Sequence, residues 1–334
     1  MRAAIVGIAG VTLRAEEAAL LRAKEPAGVI LFGRNIENPR QLASLVADLR
    51  EILPQDAILM VDQEGGRVAR LRPPHWLAHP SAETLGLLFE RDPIAGKRAA
   101  WLTGALIGYE CAAGGFQVVN APVLDLRVPG AHAVIGDRAF SGDPKTVALL
   151  GGAMAEGLLA AGIQPVAKHI PGHGRAKVDS HQELPQVDAS NLDADLVPFA
   201  ENAHLPWAMT AHIVYTAFDP ALPATLSRRV IEQIIRGRLG WQGVLISDDL
   251  GMGALRGPLG ELAGVALSAG CDLVLHCSGE LEETAELLAD CPWITSAAAE
   301  RLAAGRQKAE ISRLSLDLAA LTAEREFLLR ERRH

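Results

Sequence analysis

Eight short apolar stretches, each about one strand long, recur along the chain, and helix-like segments fill most of the intervals. They are AAIVGI from Ala3, GVILF from Gly28, AILMV from Ala57, QVVNAPVLDL from Gln117, PVAKHI from Pro165, PWAMTAHI from Pro206, GVLIS from Gly243 and CDLVLHC from Cys271. Most are continuously apolar. A strand covered by helices on both faces reads that way, whereas a half-exposed antiparallel strand alternates. Eight such strands with helical crossovers predict an α/β protein built as a single (β/α)8 TIM barrel. A doubly wound open sheet shares the local pattern and stands as the alternative.

The intervals carry helix punctuation. Asn38 before Pro39 is an N-cap and first-turn signal, and Leu42, Leu45, Val46, Leu49 and Ile52 then keep one helical face apolar. Ser227 can cap a helix with the stripe Val230, Ile231, Ile234 and Ile235, and Gly240 marks its stop. From about Thr295 to His334 the chain reads as a charged amphipathic helix. Residues 1–334 are therefore expected to form one catalytic domain with a C-terminal helical tail from about residue 295.

Composition narrows the function classes. With 49% apolar and 22% charged residues the chain can bury a large core, which excludes wholesale disorder. A net charge of −8 argues against nucleic acid or an anionic membrane as a partner. No apolar run reaches the roughly 18 residues of a membrane span. The opening MRAAIVGIAG is followed at once by Arg14, Glu16 and Glu17, so it reads as a first strand of a cytoplasmic chain rather than a signal peptide. Cys111, Cys271, Cys277 and Cys291 are too sparse for a disulfide framework and miss zinc spacings; buried free thiols are expected.

Polar residues gather just after the strands, where barrel enzymes place their sites. DQEGGRVARL runs from Asp62 to Leu71; Gly65 and Gly66 permit a tight turn, and Asp62, Glu64, Arg67 and Arg70 supply charge. Asp125 and Arg138 can reach the same mouth after the fourth strand. The densest stretch is AKHIPGHGRAKVDSH, Ala167 to His181, with Lys168, His169, His173, Asp179 and His181 on a loop broken by Pro171, Gly172 and Gly174. Asp179 and His181, two residues apart, can form a carboxylate–imidazole pair, a general acid/base near neutral pH. GVLISDDLGM then delivers Asp248 and Asp249 to the end of the seventh strand. One carboxylate there can be a nucleophile, a base or a metal ligand, and Asp249 can instead cap the next helix. His212 either lines the pocket or is structural. His276 reads as a core histidine, and His75, His79, His132, His204 and His334 suggest no role.

Taken together, GVILFGRNIENPRQL, VDQEGGRVARL, VIGDRAF, AKHIPGHGRAKVDSH, MTAHIVY, PATLS and GVLISDDLGM resemble glycoside hydrolase family 3, specifically its single-domain bacterial β-N-acetylglucosaminidases. They occur in the family's order over most of Gly28 to Cys277. The resemblance implies Asp248 as nucleophile, His181 as general acid/base and Asp179 as its orienting partner. It places Asp62, Arg70, Arg138, Lys168 and His169 around the sugar in the −1 subsite, and implies no metal or organic cofactor. LDLR after the fourth strand is less typical of the family, which weakens any contact assigned to Asp125.

The chemistry fits this reading. A retaining glycosidase needs one carboxylate to attack the anomeric carbon and a second group to protonate the leaving oxygen. That second group is normally a carboxylic acid of raised pKa; an imidazole, ordinarily near 6.5, suits neutral pH without such tuning. The implied substrate is terminal β-linked N-acetylglucosamine on small muropeptide fragments (GlcNAc-anhydroMurNAc), cleaved in cytoplasmic peptidoglycan recycling. No nucleic acid, membrane or obligate protein partner is expected. Two rivals are a metal-dependent barrel hydrolase using His169, His173, Asp179, His181 and Asp248, and a non-catalytic sugar-binding barrel.

Overall fold

The computed structural model describes residues 1–188 and 192–330. Eight strands form its barrel: β1 (Arg2–Gly7), β2 (Pro26–Leu31), β3 (Ile58–Val61), β4 (Val118–Val119), β5 (Gln164–Ile170), β6 (Trp207–Thr210), β7 (Val244–Asp249) and β8 (Leu273–His276). Each pairs in parallel with the next, and β8 closes on β1 through Ala4 opposite Val274 and Ile5 opposite Leu275. Closure decides against the open sheet. β2 and β3 are buried along their whole length, as their continuous apolar runs require, and β5 is buried throughout although it carries Gln164, Lys168 and His169.

Three strands depart from the apolar runs. β4 is regular for two residues only, because Pro122 has no N–H to donate. The chain still follows β5 beyond it, through Val166 N–H to Ala121 O at 2.9 Å and Leu124 N–H to Lys168 O at 2.7 Å. That irregular stretch ends at Asp125. β6 stops at Thr210, before His212. β7 instead runs past its apolar part to include Asp248 and Asp249.

The helix signals are met in part. Asn38 Oδ1 accepts the Gln41 N–H, and Leu42, Leu45 and Leu49 of helix Pro39–Ile52 are buried. Ser227 Oγ accepts the Val230 N–H, and Gly240 stops the segment at φ +69°; in between, Val230–Arg238 winds as a π-helix. The single tail helix expected from residue 295 is instead two. Ser296–Ser312 is capped by Thr295, and Leu318–Arg330 follows a break at whose end Asp317 accepts the N–H groups of Ala319 and Ala320. An Asp cap in mid-tail satisfies a new helix's first donors, so the chain restarts rather than continues. His334 lies outside the described residues. No described helix is long and apolar enough to cross a membrane.

Candidate active site

At the C-terminal mouth of the barrel lies a cavity of about 510 Å³, and the eight residues given roles by the resemblance all line it. β7 carries Asp248 to its rim. Lys168 and His169 come from the end of β5, Asp179 and His181 from the loop that follows. Asp62 and Arg70 come from the turn after β3, and Arg138 from a short 3₁₀ turn after the fourth strand.

That turn after β3 is built by its own backbone. Glu64 N–H reaches Val68 O at 2.9 Å, and the buried Gln63 side chain accepts the N–H groups of Arg70 and Leu71. Gly65 sits at φ +98°, and a Cβ there would lie 2.4 Å from Pro80 O, so no other residue fits.

Within the cavity the charges are paired. Glu64 takes both Nε and Nη2 of Arg138, at 2.8 and 2.9 Å, and Lys168 Nζ lies 2.7 Å from Glu64 Oε1. Asp62 accepts from Arg70 Nη2 and from Asn120 Nδ2, each at 2.9 Å, with Lys168 Nζ at 3.6 Å. Burial works to raise both carboxyls, but the cations outweigh it. Arg138 and Lys168 hold Glu64 at about 2, and Lys168 and Arg70 hold Asp62 well below the ordinary carboxylate range. Fixed carboxylate oxygens beside fixed N–H groups can accept from and donate to the hydroxyls of one ligand.

His169 is oriented from behind. The fully buried Asp125 carboxylate takes its Nδ1 at 2.6 Å and its backbone N–H at 3.1 Å, and also the His173 N–H at 2.7 Å. Burial opposes charge on Asp125, yet His169 and His173 hold its carboxyl low, so it stays an acceptor. Asp125 is thus a structural member of the site, despite the atypical LDLR that made it doubtful. Glu64 and Asn120 went unassigned in the sequence. Their partners lie 74 and 58 residues away, beyond local pattern.

On the other wall, Asp179 Oδ1 accepts both the ring Nδ1 of His181 at 2.7 Å and its backbone N–H at 2.9 Å. His173, pushed down to about 4 by burial and then by the nearby His169, places Nε2 2.9 Å from Ser180 Oγ. Asp248 Oδ1 accepts the Asp249 N–H at 2.9 Å. Asp249 caps no helix: its Oδ1 takes the N–H groups of Gly251 and Cys277, because a turn rather than a helix follows β7. His212 does not line the cavity; Nε2 donates to Asp249 O at 3.0 Å and Nδ1 meets Thr225 Oγ1 at 2.7 Å. His276 is fully buried, with Nε2 on Ser278 Oγ. Three cysteines are buried as expected, but Cys277 is only half-buried and faces the cavity. Among the described residues no three of His, Cys, Asp and Glu converge as a metal-holding group.

Comparison with known proteins places the chain. The glycosyl hydrolase family 3 N terminal domain matches residues 4–304. The β-hexosaminidase of Bordetella avium is 42% identical over 282 residues, 82% of this chain and 80% of that protein. The β-hexosaminidase of Xylella fastidiosa strain 9a5c is 43% identical over 286 residues, 83% of this chain and 84% of its own. Among solved structures, NagZ from Neisseria gonorrhoeae in complex with N-trifluoroacetyl-D-glucosamine superposes with a TM-score of 0.86 at 32% identity, covering 98% of this chain and 97% of that one.

Proposed function

The chain belongs to glycosyl hydrolase family 3 and is a β-N-acetylhexosaminidase, and on that premise we propose a retaining exo-enzyme that releases terminal β-linked N-acetylglucosamine from small muropeptide fragments. The observation that carries the mechanism is one cavity lined by a carboxylate at a strand end, Asp248, and by a carboxylate–imidazole pair, Asp179–His181. Asp248 attacks the anomeric carbon while His181 protonates the departing oxygen. A glycosyl-enzyme forms, and His181 then takes a proton from the water that releases the sugar. Asp62, Arg70, Arg138, Lys168 and His169 hold the sugar's polar groups meanwhile.

Support for the sugar comes from the relatives' names and from the N-acylated glucosamine in the gonococcal complex. The enzyme is placed in the cytoplasm in this reading, and that location implies recycling of imported fragments rather than digestion of intact wall. The test is hydrolysis of a chromogenic N-acetyl-β-D-glucosaminide beside the matching glucoside, and of GlcNAc-anhydroMurNAc. The reading expects cleavage of the first and third; equal cleavage of the glucoside contradicts it.

A further inference from the structure

Ser180 and His181 are held from outside their own loop, and the hold comes from the segment that follows Asp248. Gly253 N–H donates to His181 O and Ala254 N–H to Ser180 O, each at 3.1 Å. Ser180 itself is buried, and its Oγ meets His173 Nε2, whose residue is in turn fixed by its N–H to Asp125. Asp179 and His181 therefore reach the cavity from either side of one anchored residue, while the His181 side chain stays 62% exposed.

Gly253 is a glycine because of this contact. Its φ lies outside the left-handed region, so the backbone would accept another residue. A Cβ, however, would lie 2.7 Å from Gln182 O and 2.8 Å from His181 O. Both are backbone oxygens, so the acid/base segment itself would have to retreat.

We infer that Gly253 is a positioning residue for the acid/base: the backbone contact from Gly253 and Ala254 to residues 180 and 181 sets His181 against Asp248. The turn that continues from the nucleophile's strand thereby carries the seat of the proton donor, which fixes the two reacting groups relative to each other. The inference rests on the roles proposed for Asp248 and His181.

The test is Gly253→Ala, read as kcat/KM on a natural disaccharide and on a dinitrophenyl glycoside. A displaced acid hurts the poor leaving group and spares the activated one, whereas a general loss of structure hurts both alike. We expect a loss of roughly 10²-fold on the disaccharide and under about tenfold on the aryl glycoside. Gly264→Ala, where a Cβ meets nothing within 4 Å, should match the parent on both. Should Gly253→Ala fail to fold, Ser180→Ala loosens the same seat by removing the hydroxyl on His173, and should show the same bias more weakly. Equal factors on both substrates, or parental rates in the folded variant, overturn the inference. His181→Ala run alongside separates the two levels: leaving-group bias there but not in Gly253→Ala or Ser180→Ala sinks only the positioning role. No bias in His181→Ala sinks the acid/base assignment and the positioning claim with it.

Discussion

One oxygen of Asp179 binds His181 twice, at the ring Nδ1 and at the backbone N–H. Burial works against its charge, yet these two bonds hold the Asp179 carboxyl below its ordinary range. An ionised carboxylate has no proton to donate, so the ring proton sits on Nδ1, which leaves Nε2 as the atom for the proton transfer proposed for His181. Asp179→Asn keeps the shape and removes the charge. It should cost about 10–10²-fold in kcat/KM on a natural disaccharide, with little change in melting temperature. Full activity in that variant would mean the charge is not used.

Adjacent carboxylates at the end of β7 should separate cleanly. Asp248→Ala should abolish turnover in a protein that melts like the parent, because the task proposed for it is covalent. Asp249→Ala leaves the N–H groups of Gly251 and Cys277 without their acceptor, so it should lower stability by about 1–3 kcal/mol and activity only in part. A fluoro-glycosyl inhibitor followed by peptide mapping should label Asp248; a label elsewhere removes it as nucleophile.

The Glu64–Arg138 pair should dominate the stability of the site. Both side chains are almost wholly buried, and Lys168 shares the same carboxylate. Glu64→Ala leaves two buried cations short of a partner and should cost about 3–5 kcal/mol. The exposed Arg67–Asp137 pair offers a contrast: Asp137→Ala should cost about 0–1 kcal/mol. Denaturant melts of the two variants check the order, and equal losses would contradict it.

Most of the barrel was legible because each strand's burial on both faces is written in its own few residues. β4 was read too long because Pro122 breaks a ladder without breaking the apolar run. The catalytic candidates were legible for a local reason too: Asp179 and His181 are two residues apart, and Asp248 follows directly on its strand. What the sequence hid was who pairs with whom. Glu64 on Arg138, Asp125 on His169 and Gly253 on His181 are contacts between different strand ends, and only the closed barrel brings those ends together.

Acid should unfold the protein in two stages. His173, at about 4 in the folded chain and ordinarily near 6.5 when unfolded, binds more protons in the unfolded state between those values. Its contribution is whole above about 6.5 and is lost as pH falls toward about 4; burial of His79 and His212, whose pKa values are also lowered, acts in the same direction. Below about 4 the held-down carboxyls of Asp62, Glu64 and Asp125 lose theirs in turn. Calorimetric melting temperature should thus be flat between about pH 7 and about pH 8 and fall below that window, with His173→Gln flattening the upper stage. A constant melting temperature from about pH 7 to about pH 4.5 would contradict the histidine assignment.

The central claim is that His181 moves the proton in both halves of the reaction, and leaving-group dependence in His181→Ala tests it most directly. Protonation matters most for a poor leaving group, so the variant should lose about 10²–10⁴-fold on a natural disaccharide and far less on a dinitrophenyl glycoside. Without its base, water attacks the glycosyl-enzyme slowly, and the second step should limit the activated substrate. Added azide, which needs no base, should then restore turnover and yield a β-glycosyl azide. Equal losses on both substrates with no effect of azide would place the acid/base elsewhere.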